Sequence, residues 1–596
     1  MCGITGAFGP DAHLRCDVVD TMNRAQHARG PDDQVVVAEG PFVLGNTRLA
    51  VQDPTPSANQ PFCDPDGRFT VVFNGEIYNH RELVRQHGLN MRTRCDGEVI
   101  PLLWAKLGPQ CLRLFRGMYG IAVADHDKRR LYLARDRFGI KPLHWRRYKA
   151  GVLFASDPAP LWRVDRALPL DRRALADYFH FGAVASGRSP HDGIEAVAPG
   201  ACISIGEDGL VRPELVVPAI GPGSGPETIA TSDERSLAGA FRSSVRLHLS
   251  ADVPTALLLS AGVDSTLLAL AARDEGQSLH CVTVSAPWGE DESHQAKATA
   301  VEYGHTHETV AAEIDEAAVD SFLSVMPRPT IDGLNSFLVN RAVRAGGYKV
   351  ALSGLGADEA LGGYGYLRIA RILPLLHLAD RVPGIATPLL ALASRRRPAG
   401  TGSGKFERLL GAGGPRSLEG LVQLQRELFV GDRVRSMLGV SAEIEDETTV
   451  SGRGPAAVAE AEMIRYLQPM LLPDADAFSM AASVELRVPF VDGPFFTAAL
   501  GRRHLRGKAE LVHQMGDRYL ELLSRRRKTG FSVPMQEWIR SGPLRHVVAD
   551  AARPDAPIWD HLEAAVGRPI LAAAGENSRW SEVWALAALD GWLRRR

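Results

Sequence analysis

No stretch of this 596-residue chain stays free of charged residues for the length of a membrane span. Even the apolar segment 373–394 is interrupted by His377, Asp380 and Arg381. The opening residues, MCGITG, lack the basic flank and apolar core of a signal peptide. Neither sign of charge is in excess, because 68 Lys and Arg face 70 Asp and Glu. The composition therefore indicates neither a membrane nor a nucleic acid as a partner.

Paired CxxC motifs are also missing. The seven cysteines are an odd number in a large chain without an export signal, which argues against a disulfide framework. They are Cys2, Cys16, Cys63, Cys95, Cys111, Cys202 and Cys281. We therefore expect a cytoplasmic protein, because the cytoplasm keeps thiols reduced.

The chain is too long for one hydrophobic core, so two or three domains are expected. Short β-like runs from Val35 to about Gly206 are separated by Asp, Gly and Pro. A segment rich in Gly, Pro, Ser and Thr follows, with GPGSGPE at its centre, and this composition is typical of a linker. Two later apolar runs, 253–259 and 348–352, each lead into a turn of small residues, which predicts a parallel α/β sheet.

These patterns predict four segments. The predicted boundaries are 2–205 for the first domain, 206–234 for the linker, 235–596 for the second domain, and about 369–450 for a helical insert within it.

Cys2 directly follows the initiator Met. Removal of that Met would leave a thiol and a free α-amino group on the same residue. An α-amino group has a pKa of roughly 7.7–8.0, so it can act as the base for its own thiol near neutral pH. Taken alone, a cysteine in the second position is more often only a terminal residue, and the motifs that follow change that balance.

A series of short motifs follows Cys2. They are ARGPDD (28–33), TRLAVQD (47–53), QPF (60–62), FNGEIYNH (73–80), CDGEVI (95–100), FRGMYGIAVAD (115–125) and LARDRFGIKPL (133–143). In order and spacing the series resembles the N-terminal-nucleophile glutaminase domain of class II glutamine amidotransferases, in the asparagine synthetase branch. This resemblance implies an α+β sandwich with αββα layers and glutamine as a substrate.

The resemblance assigns roles to polar residues of these motifs. Asn74 and the Gly75 backbone N–H would stabilise the oxyanion that forms when a thiolate attacks glutamine. Arg48 would bind the α-carboxylate of glutamine through a two-pronged contact, and Glu76 and Asp96 would hold its α-ammonium. Taken singly, Arg48 suits a surface ion pair, Asn74-Gly75 a hairpin turn and Asp96 a helix cap. The complete series favours the catalytic interpretation.

A second candidate site lies at Ser260–Ser265, where SAGVDS separates a strand-like run from a helical one. Small residues at such a turn leave backbone N–H groups pointing at a helix N-terminus, which favours phosphate. The loop lacks the Gly-Lys-Thr of a P-loop kinase. It resembles the S-G-G-x-D-S loop of ATP pyrophosphatases, which implies cleavage between the α and β phosphates, although Ala261 replaces a Gly.

Three further motifs extend this resemblance to the synthetase domain of asparagine synthetases. They are LSGLGADEALGGY (352–364), SMAASVELRVPFVD (479–492) and RRKTGFSVP (526–534). The resemblance implies an α/β ATP-pyrophosphatase-type domain that uses ATP and Mg²⁺. The implied pyrophosphate and metal contacts are Ser260, Gly262, Asp264, Ser265 and Asp358, the last as the second metal carboxylate. The implied adenosine contacts are Leu258, Val284, Ser353 and Gly354.

Two more residues of these motifs carry candidate roles. Lys528 would neutralise charge on the α-phosphate while an acyl-adenylate forms. The alternative is that residues 525–528 are only a solvated basic run. Glu485 suits either an acid/base group or a structural carboxylate paired with Arg487.

The acceptor is less clearly specified. Many asparagine synthetases carry a Glu at the position of Leu355, and a leucine can neither accept a proton nor pair with an ammonium. Asp332 and Asn335 are candidate acceptor contacts. The favoured interpretation is asparagine synthesis from aspartate, with ammonia moving through an apolar tunnel. The alternatives are amidation of another carboxylate, on a sugar, peptide or secondary metabolite, and a non-catalytic scaffold. The oligomeric state stays open, with a homodimer as one option.

Overall fold

The computed structural model describes most of the chain. The described residues are 2–11, 15–218, 233–288, 291–364, 367, 373, 405, 408–409, 415, 417–440, 455–501, 507–525, 533–575 and 579–596. Lys528, the middle of the predicted linker and most of the predicted insert lie outside them.

The first half of the chain folds into twelve strands. In chain order they are β1 (Cys2–Phe8), β2 (Asp33–Glu39), β3 (Phe42–Arg48), β4 (Phe62–Cys63), β5 (Phe69–Ile77), β6 (Gly117–Asp125), β7 (Arg130–Arg135), β8 (His144–Tyr148), β9 (Gly151–Ala155), β10 (Ile194–Ala196), β11 (Ala201–Gly206) and β12 (Val211–Val216). The helices of this half are α1 (Cys16–Arg24), α2 (His80–His87), α3 (Val99–Leu107), α4 (Pro158–Arg163) and α5 (Arg172–Phe181).

These strands form two antiparallel six-stranded sheets. Their orders are β10-β8-β9-β1-β3-β2 and β12-β11-β7-β6-β5-β4. β1 and β5 contact each other across the two sheets, while α1 covers β1–β3 and α3 covers β5. Every residue of β1 and β5 is therefore buried, because each strand is covered on both faces. The predicted αββα sandwich is confirmed.

The second half contains a five-stranded parallel sheet. Its strands are β13 (Thr255–Leu258), β14 (His280–Ser285), β15 (Thr306–Ala311), β16 (Val350–Leu352) and β17 (Glu485–Arg487). The first six described helices of this half are α6 (Leu237–His248), α7 (Val263–Asp274), α8 (Ser293–Glu302), α9 (Glu316–Val325), α10 (Leu334–Ala345) and α11 (Ala357–Leu361). The first five precede β16, and α11 follows it.

The remaining described helices follow the loop after α11. They are α12 (Leu418–Arg426), α13 (Gly431–Leu438), α14 (Pro455–Glu462), a π-helix (Met463–Leu471), α15 (Leu472–Ala481), α16 (Gly493–Leu500), α17 (Ala509–Met515), α18 (Arg518–Ser524), α19 (Met535–Ser541), α20 (Arg545–Ala551), α21 (Ala564–Ala572) and α22 (Trp580–Leu593). Short polar side chains begin several helices: Ser236 accepts from the Gly239 N–H at α6, and Asp315 from the Ala318 N–H at α9.

The strand order of the parallel sheet locates its binding edge. The order is β15-β14-β13-β16-β17, with every neighbouring pair parallel. Chain order therefore reverses between β13 and β16, and ligands of open α/β sheets bind at such a switch point, outside the carboxyl ends of the strands. The predicted parallel α/β domain is confirmed.

The two halves share one apolar cluster. Residues of the first half, including Leu49, Met118 and Phe138, pack in the same buried cluster as Leu257 and Phe490 of the second. Within the described part of the chain, no helix combines the length and the apolar character that crossing a membrane requires.

Candidate active sites

Cys2 lies in the interior of the sandwich. The antiparallel register of β1 and β3 sets Cys2 directly opposite Arg48. Burial raises the pKa of the Cys2 thiol, and the Arg48 charge and a hydrogen bond from the Leu49 backbone only partly oppose this. The thiol is therefore neutral at rest and needs a base before it can act as a nucleophile.

Asn74 and Gly75 lie in the middle of β5, so the hairpin-turn alternative is wrong. Asn74 Oδ1 accepts a hydrogen bond from the Cys2 backbone nitrogen at 3.2 Å. The Asn74 side-chain nitrogen is buried and has no hydrogen-bond partner among the described residues. Gly75 has φ +151°, and a Cβ there would lie 1.9 Å from the Met118 carbonyl oxygen. Only glycine fits this position. The open donor beside Cys2 is the side-chain nitrogen of Asn74.

Gln60 is a neighbour of the thiol that sequence analysis quoted within a motif without giving it a role. Its side-chain nitrogen donates to Cys2 Sγ at 3.6 Å and to the Phe73 carbonyl at 2.9 Å. Its side-chain oxygen accepts from the Phe73 N–H at 2.7 Å. The Phe73 backbone thus fixes the amide, which can donate a hydrogen bond to a thiolate.

Arg48 is the predicted cation for the glutamine carboxylate. Its guanidinium donates to the carbonyls of Thr55 at 3.0 Å, Gln52 at 3.2 Å and Asp53 at 2.6 Å, and to the Asn59 side chain. The side chain is therefore fixed beside Cys2 rather than extended into solvent, and an entering carboxylate would have to replace some of these acceptors.

Asp96 and Glu76, the predicted ammonium contacts, are both buried. Asp96 accepts a hydrogen bond from the Ile77 N–H at 2.6 Å, next to Glu76 on β5. Burial, Glu485 and Asp96 raise the pKa of Glu76 well above its ordinary value. Two neighbouring buried carboxylates disfavour full ionisation, so a substrate ammonium would be attracted here.

The loop before α7 is held together by hydrogen bonds between its own residues. Gly262 caps the helix, and its N–H donates to Ser260 Oγ at 3.1 Å. Ser265 Oγ accepts from the Ser260 N–H at 3.1 Å, which ties the two ends of the loop together. Ala261, the departure from the usual pattern, donates its N–H to a carboxylate oxygen of Glu292 at 3.2 Å. An anionic oxygen thus already contacts a loop N–H that suits a phosphate oxygen.

The two predicted nucleotide segments meet at the switch point. Ser353 and Gly354 follow β16, and a Cβ on Gly354 would lie 2.9 Å from the Asp264 Cβ. Leu258 ends β13, and Val284 lies near the carboxyl end of the adjacent β14. The structure therefore brings the predicted adenosine and pyrophosphate residues to one edge of the sheet.

A cation joins the two predicted metal carboxylates. Lys508 Nζ lies 2.5 Å from Asp264 Oδ2 and 2.7 Å from Asp358 Oδ1. Sequence analysis missed Lys508, because it lies outside the quoted motifs. Among the described residues no cluster of three or more His, Cys, Asp or Glu side chains could hold a metal. Two carboxylates that converge on one positive charge are a suitable protein donor set for Mg²⁺, which takes its other ligands from phosphate and water.

Glu485 is not at this edge. It begins β17, and the Arg487 side chain donates to it at 2.6 Å. Arg487 also reaches Glu76 of the first half at 3.5 Å. Positive charges, including Arg487, outweigh burial and lower the pKa of Glu485. Of the two alternatives for Glu485, this geometry favours the structural ion pair, located where the two halves meet.

The candidate acceptor residues lie in the loop after β16 and at the start of α10. Leu355 donates its N–H to Ser353 Oγ at 3.3 Å and packs against apolar neighbours. The Asp332 backbone N–H donates to Thr330 Oγ1 at 3.2 Å. Burial raises the pKa of the Asp332 carboxyl group. Asn335 lies in the first turn of α10.

Two family models match the chain side by side. The model described as a glutamine amidotransferase domain matches residues 1–214. The model described as asparagine synthase matches residues 236–594, more than half of the chain.

Curated relatives agree with this division. A Mycobacterium tuberculosis (strain ATCC 25618 / H37Rv) protein, provisionally named a glutamine-hydrolysing asparagine synthetase, is 31% identical over 91% of this chain and 89% of its own length. Asparagine synthetase 1 of Bacillus subtilis (strain 168) is 26% identical over 99% of this chain and 96% of its own length. Asparagine synthetase B of Escherichia coli (strain K12) is 27% identical over 68% of this chain and 78% of its own.

Solved structures overlay less closely. The glutamine phosphoribosylpyrophosphate amidotransferase of B. subtilis, complexed with ADP and GMP, is 15% identical, with a TM-score of 0.28 over 60% of this chain and 77% of that chain. The two family models and the two kinds of sheet, rather than this overlay, identify the family. The chain belongs to the asparagine synthase family of ATP-dependent ligases and carries a glutamine amidotransferase domain.

Proposed function

We propose that the chain makes asparagine. L-aspartate, L-glutamine, ATP and water would give L-asparagine, L-glutamate, AMP and diphosphate. One observation carries the proposal: an open amide donor lies beside a buried thiol in one half, and two carboxylates meet beside a phosphate-type loop in the other. The relatives named as asparagine synthetases supply the choice of aspartate.

At the first site, the freed Cys2 amine takes the thiol proton, and the thiolate attacks the carboxamide carbon of glutamine. The Asn74 side-chain N–H and the Gly75 N–H donate to the oxyanion that develops. The amine returns the proton to the leaving ammonia, and water then releases glutamate from the thioester. Arg48 orients the α-carboxylate of glutamine, and Asp96 and Glu76 attract its α-ammonium.

At the second site, the N–H groups of the Ser260–Ser265 loop hold phosphate oxygens of ATP, with Ser353 and Gly354 beside the adenosine. Asp264 and Asp358 would hold Mg²⁺, which supplies positive charge to the phosphates when it is bound. The acceptor carboxylate attacks the α-phosphorus, diphosphate leaves, and ammonia displaces AMP from the acyl-adenylate. Lys528 keeps its predicted role as the cation at the α-phosphate.

Ammonia must cross from one site to the other without leaving the protein. The shared apolar cluster supports such a route, because apolar side chains of both halves pack against one another in it. Neutral ammonia crosses an apolar region far more readily than ammonium, since an unpaired charge is costly to bury. The domain division at 2–205, 206–234 and 235–596 remains our prediction. The free thiols of all seven cysteines fit the expected cytoplasmic location.

One observation favours a second candidate acceptor. Leu355 presents an apolar side chain where many asparagine synthetases carry a Glu, so this machinery would suit a carboxylate on another small molecule or peptide. A non-catalytic scaffold is less well supported, because it would not need an open donor beside Cys2 or converging carboxylates.

The test supplies amide-¹⁵N glutamine, L-aspartate, ATP and Mg²⁺ and follows labelled asparagine and diphosphate by mass spectrometry. Equal amounts of both products are expected. Labelled ammonia with glutamate but without asparagine would overturn aspartate as the acceptor and favour another carboxylate. An absence of glutamate release in a chain with a free Cys2 amine would overturn the glutaminase proposal.

A further inference from the structure

A group of charged side chains is buried where the two halves meet. Asp476, on α15 of the second half, accepts from Arg29 at 2.8 Å through one carboxylate oxygen and from Lys141 at 2.8 Å through the other. The exposed side-chain fractions are 4% for Arg29, 1% for Lys141 and 1% for Asp476. Buried charges are costly unless they are paired, so the two cations and the carboxylate hold one another in place.

Arg29 links this group to the nucleophile. Its Nε donates to the Cys2 carbonyl oxygen at 3.3 Å. Its Nη1 donates to Asp157 at 3.2 Å. The guanidinium therefore has one side on Asp157, one on Asp476 and one on the residue that carries the thiol. A planar guanidinium fixed on two sides has little freedom on the third.

The helix that carries Asp476 also contacts the candidate acceptor segment. Asp474, two residues earlier on α15, accepts from Thr330 Oγ1 at 2.6 Å. Phe478, two residues later, packs so closely on Gly333 that a Cβ there would lie 2.0 Å from its ring. Asp332 and Asn335 lie on either side of Gly333. One short helix thus contacts the acceptor segment and, through Asp476, the cation that holds Cys2.

We propose that Asp476 is a positioning residue for glutamine hydrolysis, because it holds Arg29 against the Cys2 carbonyl. The inference rests on the proposed glutaminase function and goes beyond it, since it makes the geometry of the nucleophile depend on the docked second half. Asp476 does not touch the glutamine contacts Arg48 or Asp96, so its effect falls on the chemical step rather than on glutamine binding.

A second buried ion pair across the same boundary offers a matched control. Arg116 of the first half donates to Asp492 of the second at 2.8 and 2.7 Å. Its other hydrogen bonds go to Glu234 and Ser243, away from Cys2. Loss of the Asp492 charge weakens the contact between the halves to a similar degree without releasing the cation at the nucleophile.

The experiment measures glutamate release by Asp476→Asn, Asp476→Glu and Asp492→Asn proteins whose Cys2 amine is shown to be free by intact mass. For Asp476→Asn, kcat is expected to fall about tenfold or more with KM for glutamine within about twofold, because a misplaced nucleophile slows chemistry without weakening binding. Asp476→Glu keeps the charge and is expected to recover part of kcat. Asp492→Asn is expected to keep kcat within about twofold.

Equal losses of kcat in Asp476→Asn and Asp492→Asn would overturn the inference, because a general loosening of the boundary would then explain both. A wild-type kcat in Asp476→Asn, or a loss confined to KM, would also overturn it. If Asp476→Asn does not fold, Arg29→Lys is measured instead, because a lysine has one nitrogen and cannot contact both Asp476 and the Cys2 carbonyl as Arg29 does. A wild-type kcat in Arg29→Lys overturns the inference. A wild-type chain that releases no glutamate would refute the proposed glutaminase function itself, which is a distinguishable result.

Discussion

The two candidate sites differ in how their groups are held. At the antiparallel site, Cys2, Arg48 and Asn74 occupy positions on paired strands, so the register of the sheets fixes their spacing. At the parallel site, the groups come from loops and helix starts beyond the strand ends. Loops can move with less loss of hydrogen bonding than paired strands, so the first site is preformed and the second can rearrange.

The two sites also differ in whether their polar groups already have hydrogen-bond or ion-pair partners. Beside Cys2, the buried Asn74 side-chain nitrogen has no hydrogen-bond partner among the described residues. Beside α7, Lys508 bridges Asp264 and Asp358, and Glu292 contacts the Ala261 N–H. A metal ion has the same sign of charge as Lys508, and phosphate oxygens have the same sign as Glu292, so in the proposed function the ligand groups would replace these two side chains. In the proposed function, the first site is already arranged for glutamine hydrolysis, whereas the second site exchanges ionic partners when ATP and a metal ion bind.

Substitutions that inactivate one site at a time should have the largest effects on the rates of glutamate and diphosphate release. Cys2→Ala should lower glutamate release by at least about 10⁴-fold, because alanine offers no nucleophile in place of the thiol, while added ammonium still supports product formation. Asp264→Asn should do the reverse, abolishing diphosphate release and leaving glutamate release within a few-fold. Both rates are measured for each protein. If either substitution abolished both activities, the two sites would not be separable.

The open donor gives the next largest effect. Asn74→Ala should lower kcat for glutamate release by about 10²–10³-fold, because one oxyanion donor is lost. KM for glutamine should change little, since the donor acts mainly on the charge that develops in the transition state. Steady-state kinetics over a range of glutamine concentrations measures both. An unchanged kcat would contradict the view that this donor is reserved for the reaction.

The pH dependence of glutamate release should follow the pKa of the Cys2 α-amino group rather than that of the Cys2 thiol. Burial raises the pKa of the Cys2 thiol above its ordinary 9.0, so little thiolate forms at neutral pH. The active form has a neutral amine, so kcat/KM should rise about tenfold per pH unit and level off above roughly pH 8. Rates from pH 6 to 9 check this. A rate that is already maximal at pH 6 would mean that a preformed thiolate carries the reaction.

The smallest effect concerns the exchanged cation. Lys508→Met leaves Asp264 and Asp358 facing each other, so Mg²⁺ should raise its melting temperature by about 2–4 °C more than that of the wild type. Lys349→Met is a suitable control, because Lys349 pairs with Asp32 away from these loops and should show no such difference. Differential scanning fluorimetry with and without Mg²⁺ measures the shift. Equal shifts in all three proteins would contradict the proposed exchange.

The fold was largely predictable because the two halves carry different local patterns. Short β-like runs separated by turn residues indicated the antiparallel half, and strand–turn–helix repeats indicated the parallel one. Asn74-Gly75 shows the limit of local patterns. By itself the pair predicts a hairpin turn, but it lies within β5, where the glycine allows the Met118 backbone to approach.

Long-range partners were not predictable from the sequence. Arg29 and Asp476 are 447 residues apart in the chain, and nothing in either local pattern indicates that they meet. Lys508 stands outside the quoted motifs, and only the fold brings it to Asp264 and Asp358. Glu485 had two candidate roles, and its contact with Arg487 near Glu76 is what favours one of them. The chemical roles of the site residues stay predictions.

The shared apolar cluster has a consequence for how the chain can be made. Leu49, Met118 and Phe138 lie in a buried cluster with residues of the second half. If the two halves were produced separately, each would expose apolar surface to solvent, and exposed apolar surface promotes aggregation. Attempts to produce either half alone therefore call for co-expression with the other.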